Sequence, residues 1–307
     1  MRIFLTGATG YIGAAVLDAL VRGGHDVTAL VRNKEKARRV AKRGGHAVIG
    51  DLGEPESYRA AADAQDGYVH AAFDARSGRG AAIDRLVIDT ILDAARRPRT
   101  AGSGAPARRF VIYTSAVWVL GPAPNPATEE TPINPVEYVS WRPHHEQMIA
   151  NANSDVLRTA VVRPGHVYGG GSGIVGELFK SASNGLVRVV GDGNNHWPLV
   201  YDRDLADLYA RLAVREDAAG VYHANDEGDE RVNDIVSAIK PYLQLRPDVR
   251  HVPIDEARHK MGTYADALML DQVVRSPRAR ALGWTPSLHS VAGNAARLLE
   301  EWRASRN

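Results

Sequence analysis

The sequence predicts an α/β protein, a doubly wound parallel sheet followed by a smaller α/β C-terminal domain. Three observations predict it. Short apolar runs alternate with segments of helical periodicity through the first half of the chain. A glycine-rich turn, Thr6-Gly7-Ala8-Thr9-Gly10-Tyr11-Ile12-Gly13, separates the first run from the first helical segment. After Tyr168 the alternation loses its regularity, beginning at a glycine-rich patch, Gly169 to Gly173. Strands that alternate with helices need crossover connections, and these make a parallel sheet covered on both faces.

Taken in order, Ile3-Phe4-Leu5 reads as a buried first strand. Ile12, Ala15, Val16, Ala19 and Leu20 recur at helical spacing, and Gly23-Gly24 stops that helix. Further strands are expected at Val27–Val31, Ala47–Ile49, Tyr68–Ala72, Phe110–Ser115 and Thr159–Val162, with helical patterns such as Ile83–Ala95 between and after them. Arg96 to Arg109 is basic and rich in Gly, Pro and Ala, and reads as an exposed connection. Gly121 to Glu137 carries Pro122, Pro124, Pro126, Pro132 and Pro135, too many for any helix or central strand. A long ordered loop after a sheet strand is often functional. The expected division puts residues 1–168 and 199–226 in the sheet domain, and 169–198 and 227–307 in the smaller one.

Composition narrows the function. The 307 residues are 44% hydrophobic and 24% charged, which excludes a disordered, collagenous or coiled-coil chain. The absence of cysteine excludes a disulfide scaffold, a thiolate zinc site, an iron–sulfur cluster and a cysteine nucleophile. Lys and Arg number 38 against 36 Asp and Glu, so the net charge of +2 offers no field for nucleic acid or membrane. The one lopsided stretch is Arg32 to Arg43, where seven basic residues accompany Glu35 on what reads as a solvated helix face. No stretch reaches the roughly 18–20 apolar residues of a membrane span. Met1-Arg2 leads into only three apolar residues before Thr6-Gly7, which is not a secretory signal, so a cytoplasmic location is expected. His144-His145-Glu146 lacks the spacing of a metalloprotease helix, and no metal is expected. No Gly-x-Ser-x-Gly elbow is present, which removes a simple serine hydrolase.

The glycine turn carries the strongest chemical signal. Gly7 permits a tight turn, Gly10 lets backbone approach a pyrophosphate, and Gly13 lets the helix pack close to the sheet. The helix N-terminus then offers N–H groups and a positive dipole end to an anion. In its strand–turn–helix context the pattern predicts a dinucleotide-binding Rossmann turn, with Gly7, Thr9, Gly10, Tyr11, Ile12 and Gly13 around the cofactor. An NAD site wants an acid at the end of the second strand for the ribose 2′-hydroxyl, whereas an arginine suits a 2′-phosphate. Here Val31 takes the acid's place and Arg32 follows it, with Lys36, Arg38 and Arg39 adding to the field. NADP(H) is therefore expected over NAD(H).

These motifs together resemble the short-chain dehydrogenase/reductase superfamily, in its extended, epimerase/dehydratase-like branch. Gly50-Asp51-Leu52 is similar to the acidic adenine contact, and His70-Ala71-Ala72 to the small-residue segment beside the cofactor. Arg163-Pro164-Gly165-His166-Val167-Tyr168-Gly169 resembles the family's Arg-Pro-x-x-Val-Tyr-Gly. Leu199-Val200-Tyr201-Asp202-Arg203-Asp204-Leu205-Ala206 resembles its aromatic-Val-His-Val-Asp-Asp-Leu-Ala stretch, and Leu282-Gly283-Trp284-Thr285-Pro286 its Leu-Gly-Trp-x-Pro. The resemblance spans nearly the whole chain. It implies cofactor contacts at Asp51, Leu52, Ala71, Ala72, Pro164, His166 and Val167, and a homodimer through the helix carrying Tyr138.

The family's chemistry uses a tyrosine and a lysine four residues apart on a helix, with a serine at the end of the fifth strand. Tyr138-Val139-Ser140-Trp141-Arg142 is the matching segment, with arginine where the lysine belongs. Side chains one helical turn apart share a face. A nearby fixed cation favours a phenolate, so Arg142 is expected to acidify Tyr138 and to hold the cofactor ribose, although arginine is bulkier and planar. An ungapped match over Tyr113 to Gly121 puts Ala116 at the serine. Ser115 is its neighbour on the opposite face of the strand, and Thr114 shares the face but lies roughly 6–7 Å back. Ser115, His145 or His166 stands in as the carbonyl-polarising donor, unless the chemistry has been lost and only cofactor binding kept.

The substrate side departs as well. Trp197, after Gly191-Asp192-Gly193, takes the place of an arginine that grips the diphosphate of nucleotide sugars in this branch. Tryptophan offers an apolar stacking face and no cation. A smaller, less charged substrate, aromatic ones included, is expected, in a pocket with Trp118, His145, His166 and Trp197; packing of Trp197 under the second domain is the structural alternative. Three functions follow: an NADP(H)-dependent oxidoreductase acting on a small carbonyl or alcohol, a sugar epimerase or dehydratase with bound NAD(P), and an NADP(H)-binding regulator with little turnover.

Overall fold

The computed structural model describes residues 1–63, 65–75, 77–97, 108–243 and 247–306. The chain divides into two compact units of nearly equal length, residues 1–115, 141–162 and 206–222, and residues 116–140, 163–205 and 223–307. Relative to the expected boundaries, 116–140, 163–168, 199–205 and 223–226 move to the second unit. Strand pairing gives the reason. His166–Tyr168 pairs with Leu199–Tyr201, and Ala123–Ala127 with Gln272–Val274, all within that unit.

The first unit opens with β1 (Arg2–Thr6), α1 (Tyr11–Arg22), β2 (Asp26–Val31), α2 (Lys34–Ala41) and β3 (His46–Ile49). It continues with α3 (Arg59–Asp63), β4 (Gly67–His70), α4 (Gly80–Arg96), β5 (Arg109–Thr114) and α5 (Arg142–Asn151). The sheet has seven strands in the order Gly220–Ala224, Leu157–Pro164, β5, β4, β1, β2, β3. Pairing of β1 with both β2 and β4 is parallel, with Thr6 opposite Leu30 on one side and His70 on the other. The chain thus winds outward from β1 through β2 and β3, then returns to the other side of β1. Connections leave in opposite directions at that point, which opens a crevice at the carboxyl ends of β1 and β4.

Each element follows from its residues. The apolar face of α1 buries Val16, Leu17, Ala19 and Leu20. That of α4 buries Ile83, Val87, Ile88, Ile91 and Leu92. The α4 residues pack with Phe4, Tyr68, Val111, Leu157 and Val161 into one core. The strand expected to reach Ala72 ends at His70. Gly220–Ala224 was not anticipated, because only Val221, Tyr222 and Ala224 in it suggest a strand.

The expected exposed connection, Arg96 to Arg109, falls outside the described residues at 98–107, and its last residue needs correction. Arg109 is buried in β5, and its guanidinium donates to the carbonyls of Ala94, Ala95 and Arg97. It satisfies acceptors that the C-terminus of α4 leaves open. In the proline-rich stretch, Ala123–Ala127 is a strand whose middle three residues are exposed, in a two-stranded sheet that tolerates prolines.

The second unit is held by a separate core, including Tyr168, Phe179, Trp197, Tyr201, Ile235, Leu299 and Trp302. Trp284, fully buried, donates its indole N–H to the Asp204 carbonyl at 2.7 Å.

Candidate active site

The glycine turn has the strain that only glycine accepts. Gly7 adopts a φ of +82°, and a Cβ there would stand 2.5 Å from the Ala71 carbonyl oxygen. A Cβ on Gly13 would stand 2.1 Å from the Gly7 oxygen, so α1 rests directly on the turn. The Gly10 N–H donates to Gly7 O at 2.7 Å, closing the turn. Gly10 caps α1 without a side-chain hydrogen bond, and Gly10, Tyr11 and Ile12 all face a cleft of about 570 Å³. A helix start of this kind receives anions.

The same cleft is lined by Thr9, Asp51, Leu52, Ala71 and Ala72, each expected beside the cofactor. Arg32 and Lys36 also line it, as does Val31, which is largely buried at the end of β2. Asn33 caps α2 by accepting the Lys36 N–H at 2.9 Å, which fixes the backbone after Arg32. Arg38 and Arg39 are exposed, and neither lines the cleft. The Asp51 carboxylate is held at the rim by the Gly53 N–H at 2.8 Å. Close backbone approach and a helix start fit the linked phosphates of a nicotinamide dinucleotide. Among the described residues, no group of three or more His, Asp or Glu could hold a metal ion.

Behind the turn runs a buried polar chain. Thr6 Oγ1 lies 2.6 Å from His70 Nδ1, and His70 Nε2 lies 3.1 Å from Asp84 Oδ1. Asp84 Oδ2 accepts from the Tyr113 hydroxyl at 2.9 Å and lies 2.7 Å from His145 Nδ1. Burial alone would raise the Asp84 carboxyl. The charge of His70, hydrogen bonds from both histidines and the Arg142 charge instead hold it well below the usual carboxylate range. Burial pushes the Tyr113 hydroxyl well above its ordinary value, against the lowering effect of Arg142.

This chain relocates two expected site residues. His145, expected in the substrate pocket, is buried against Asp84 where α5 packs on α4. Arg142 donates to the Tyr113 hydroxyl at 3.3 Å and to the Thr114 carbonyl at 2.9 Å. Its guanidinium lies over the rings of Trp141, at 4.4 Å, and Phe73, at 5.4 Å. Phe73 is itself part of the cofactor cleft.

The strand end does not bulge. Pairing of β5 with Leu157–Pro164 keeps register through Thr114, and the Ser115 N–H then donates to Val162 O at 2.7 Å. Ser115 is buried, and its hydroxyl has no partner among the described residues, so it is not presented as the expected donor. The Thr114 hydroxyl is taken by Tyr209 at 2.6 Å. Tyr138 and Arg142 do not share one helix as expected. Tyr138 sits in a 3-10 turn, Glu137–Val139, and α5 begins at Arg142. Pro143 explains the break, since it has no N–H to donate back toward Val139.

In the second unit Tyr138 belongs to an aromatic cluster. Its ring packs on Tyr264 at 5.2 Å and edge-on to Trp118 at 5.8 Å. Trp118 donates its indole N–H to His166 Nε2 at 3.3 Å, and His166 stacks on Trp197 at 4.9 Å. Burial lowers His166 to about 3, so it is a neutral acceptor there. Trp197 is both core and wall: it is 5% exposed, yet it lines a second cleft. Among the described residues, nothing hydrogen-bonds the half-buried Tyr138 hydroxyl. Pro164 ends the strand leading into this cluster, and Val167 is half-buried in the next.

The profile of the NAD dependent epimerase/dehydratase family matches residues 3–224. The chain belongs to that family. Members are nicotinamide-cofactor proteins of the oxidoreductase and epimerase kind. Among epimerase/dehydratase relatives, the uncharacterized Schizosaccharomyces pombe protein C2A9.02 is 31% identical over 95% of this chain and 96% of its own length. A Stigmatella aurantiaca enzyme named 4-hydroxy-2-methyl-3-oxo-4-farnesyl-3,4-dihydroquinoline-1-oxide ketoreductase is 26% identical over 84% of this chain and 78% of its own. Two solved structures share the fold. Human epimerase family protein SDR39U1 with NADPH matches at a TM-score of 0.78 and 19% identity, over 98% of this chain and 99% of that one. Thermus thermophilus UDP-glucose 4-epimerase with NAD matches at 0.81 and 19%, over 99% of this chain and 100% of that one. No helix among the described residues is long and apolar enough to cross a membrane.

Within this epimerase/dehydratase chain, sequence reasoning missed Asp84 and Tyr264. Asp84 had a signal, an acid on the apolar face of α4, in line with Val87, Ile88 and Ile91. Tyr264 had none, because its place beside Tyr138 depends on distant parts of the chain.

Proposed function

We propose that the chain is an NADP(H)-dependent oxidoreductase acting on a small carbonyl or alcohol. The observation that carries this is Arg32 lining one cleft with the glycine turn, while Val31 is buried where an acidic ribose ligand would stand. The ketoreductase name of the Stigmatella relative and the NADPH of the human structure support it. The Thermus structure carries NAD, so the cofactor choice rests on Arg32.

When bound, the cofactor supplies or takes the hydride at its nicotinamide. In the reducing direction the Tyr138 hydroxyl would give the substrate oxygen the proton of its new O–H bond. Half-exposed and without a hydrogen-bond partner among the described residues, Tyr138 is open to a substrate oxygen. Arg142 positions the site: held by Tyr113 and Thr114, it keeps a fixed positive charge beneath Phe73 at the cleft. Gly7, Gly10 and the start of α1, which line the cleft, would hold the linked phosphates.

Ligand titration and turnover test the reading. NADPH should bind more tightly than NADH, and Arg32→Ala should remove roughly ten- to a hundredfold of NADPH affinity with little change for NADH. Tyr138→Phe should keep NADPH binding and lose about 100-fold or more in turnover of aldehydes, ketones or enones. Equal affinity for the two cofactors, or full turnover by Tyr138→Phe, overturns it. Ala116 and the burial of Ser115 favour a second reading, an NADP(H)-binding protein with little turnover. A large gain from Ala116→Ser with Arg142→Lys supports that one; a loss means a site rebuilt for other chemistry.

A further inference from the structure

The second unit contains a cleft of about 380 Å³, within the ~300–1,000 Å³ range of small-molecule sites. Ile174, Leu178, Val189, Trp197, Val232 and Tyr264 wall it. Leu178, Val189, Trp197 and Val232 are also core residues, 8%, 2%, 5% and 2% exposed, so the wall is set by packing rather than by loops. Trp197 donates its indole N–H to the Leu268 carbonyl at 3.0 Å and has no donor left for a ligand. Beneath it, His166 is occupied by Trp118 and carries no charge near neutral pH. The charged residues at this cleft, Glu177 and Arg188, are exposed and opposite in sign, and Glu177 pairs with Lys180 at 3.6 Å. A diphosphate needs net positive charge, and the charges of Arg188 and Glu177 on these walls offset each other.

Tyr264 joins this cleft to the proposed proton donor. Its ring lines the cleft and packs 5.2 Å from that of Tyr138, whose hydroxyl is unengaged. We propose that this cleft seats an uncharged hydrocarbon or aromatic substituent of the substrate, so that the substrate class is apolar-substituted carbonyl compounds rather than phosphorylated sugars. The assignment rests on Tyr138 acting at the substrate oxygen. A substrate with its oxygen at Tyr138 continues across Tyr264 toward Trp197 and the aliphatic wall.

The test uses the full chain and the 2-alkanones from 2-butanone to 2-nonanone. With NADPH, KM should fall about fourfold per added methylene until the cleft is full, with kcat nearly constant. In Tyr138→Phe, which should bind without turnover, calorimetry should show 2-nonanone binding far more tightly than 2-butanone, and no heat from UDP-glucose. Ile174→Glu should abolish the chain-length dependence. Should that variant fold poorly, the isosteric Val189→Thr should still flatten the trend. A KM independent of chain length, an unchanged trend in both variants, or tight UDP-glucose binding overturns the proposal. Absence of turnover with intact, length-dependent binding would instead overturn the role of Tyr138 and leave the cleft assignment standing.

Discussion

Asp84 receives hydrogen bonds or close contacts from His70, His145 and Tyr113 while almost wholly buried. Asp84→Asn keeps the shape and removes the charge, leaving its partners facing a neutral amide. Urea unfolding at pH 7 should show a loss of about 3 kcal/mol, the scale of breaking a buried ion pair. Because folding depresses the Asp84 pKa, its contribution is present above the unfolded value of about 3.9 and is lost as pH falls further. The gap between wild type and variant should therefore shrink below about pH 4. At this scale legibility divides by whether a residue acts through the chain beside it. The place of Arg32 at the cleft could be read because it follows Val31 at the end of β2, and the glycine turn because its spacing is local. Arg142 could be recognised, but its partners Tyr113 and Thr114 lie on another element, so the sequence aimed it at Tyr138 instead.

Among the elements, the turn into α1 is the most constrained. Alanine in place of glycine inside a helix ordinarily stabilises by about 1 kcal/mol. At Gly13 the added Cβ would stand 2.1 Å from a backbone oxygen that cannot move without moving Gly7. Overpacking of that kind costs about 1–3 kcal/mol or more, so the clash wins. Gly13→Ala should lower thermal stability and abolish measurable NADPH binding, whereas retained affinity would mean that the turn does not carry the phosphates. The alternation of strands and helices was legible because each period is local. The break before α5 was legible too, in Pro143, but the expected Tyr-x-x-x-Arg spacing drew attention past it.

Across the whole molecule, buried ionisable groups of the second unit oppose one another. Burial lowers His166 and His223 to about 3, and raises Asp202 to about 6 and Asp226 to about 7. Below about pH 6.5 the unfolded chain binds protons that the two buried histidines refuse, so their part of the stability falls as pH falls. The two carboxyls hold protons in the folded state, so their part falls as pH rises from about 4. Between about pH 4 and 6 the slopes largely cancel. His223→Gln should unmask them: its stability relative to wild type should improve by about 1.4 kcal/mol per pH unit on going from pH 6.5 toward 3. Chemical denaturation across that range measures it, and a constant difference would refute the assignment. Long-range strand pairing in the second unit was not legible. The pairing of residues 123–127 with 272–274 joins segments that no local pattern connects.

Phe73 stands at the rim of the cofactor cleft with its ring stacked 5.3 Å from that of Trp141, and the Arg142 guanidinium lies over both. An indole in that position is a built-in optical reporter. Anything that settles against Phe73 perturbs the π-stack, and Trp141 emission should shift or quench in proportion to occupancy. Saturation of the nucleotide cleft could then be followed by light alone, with no label attached and no reaction required.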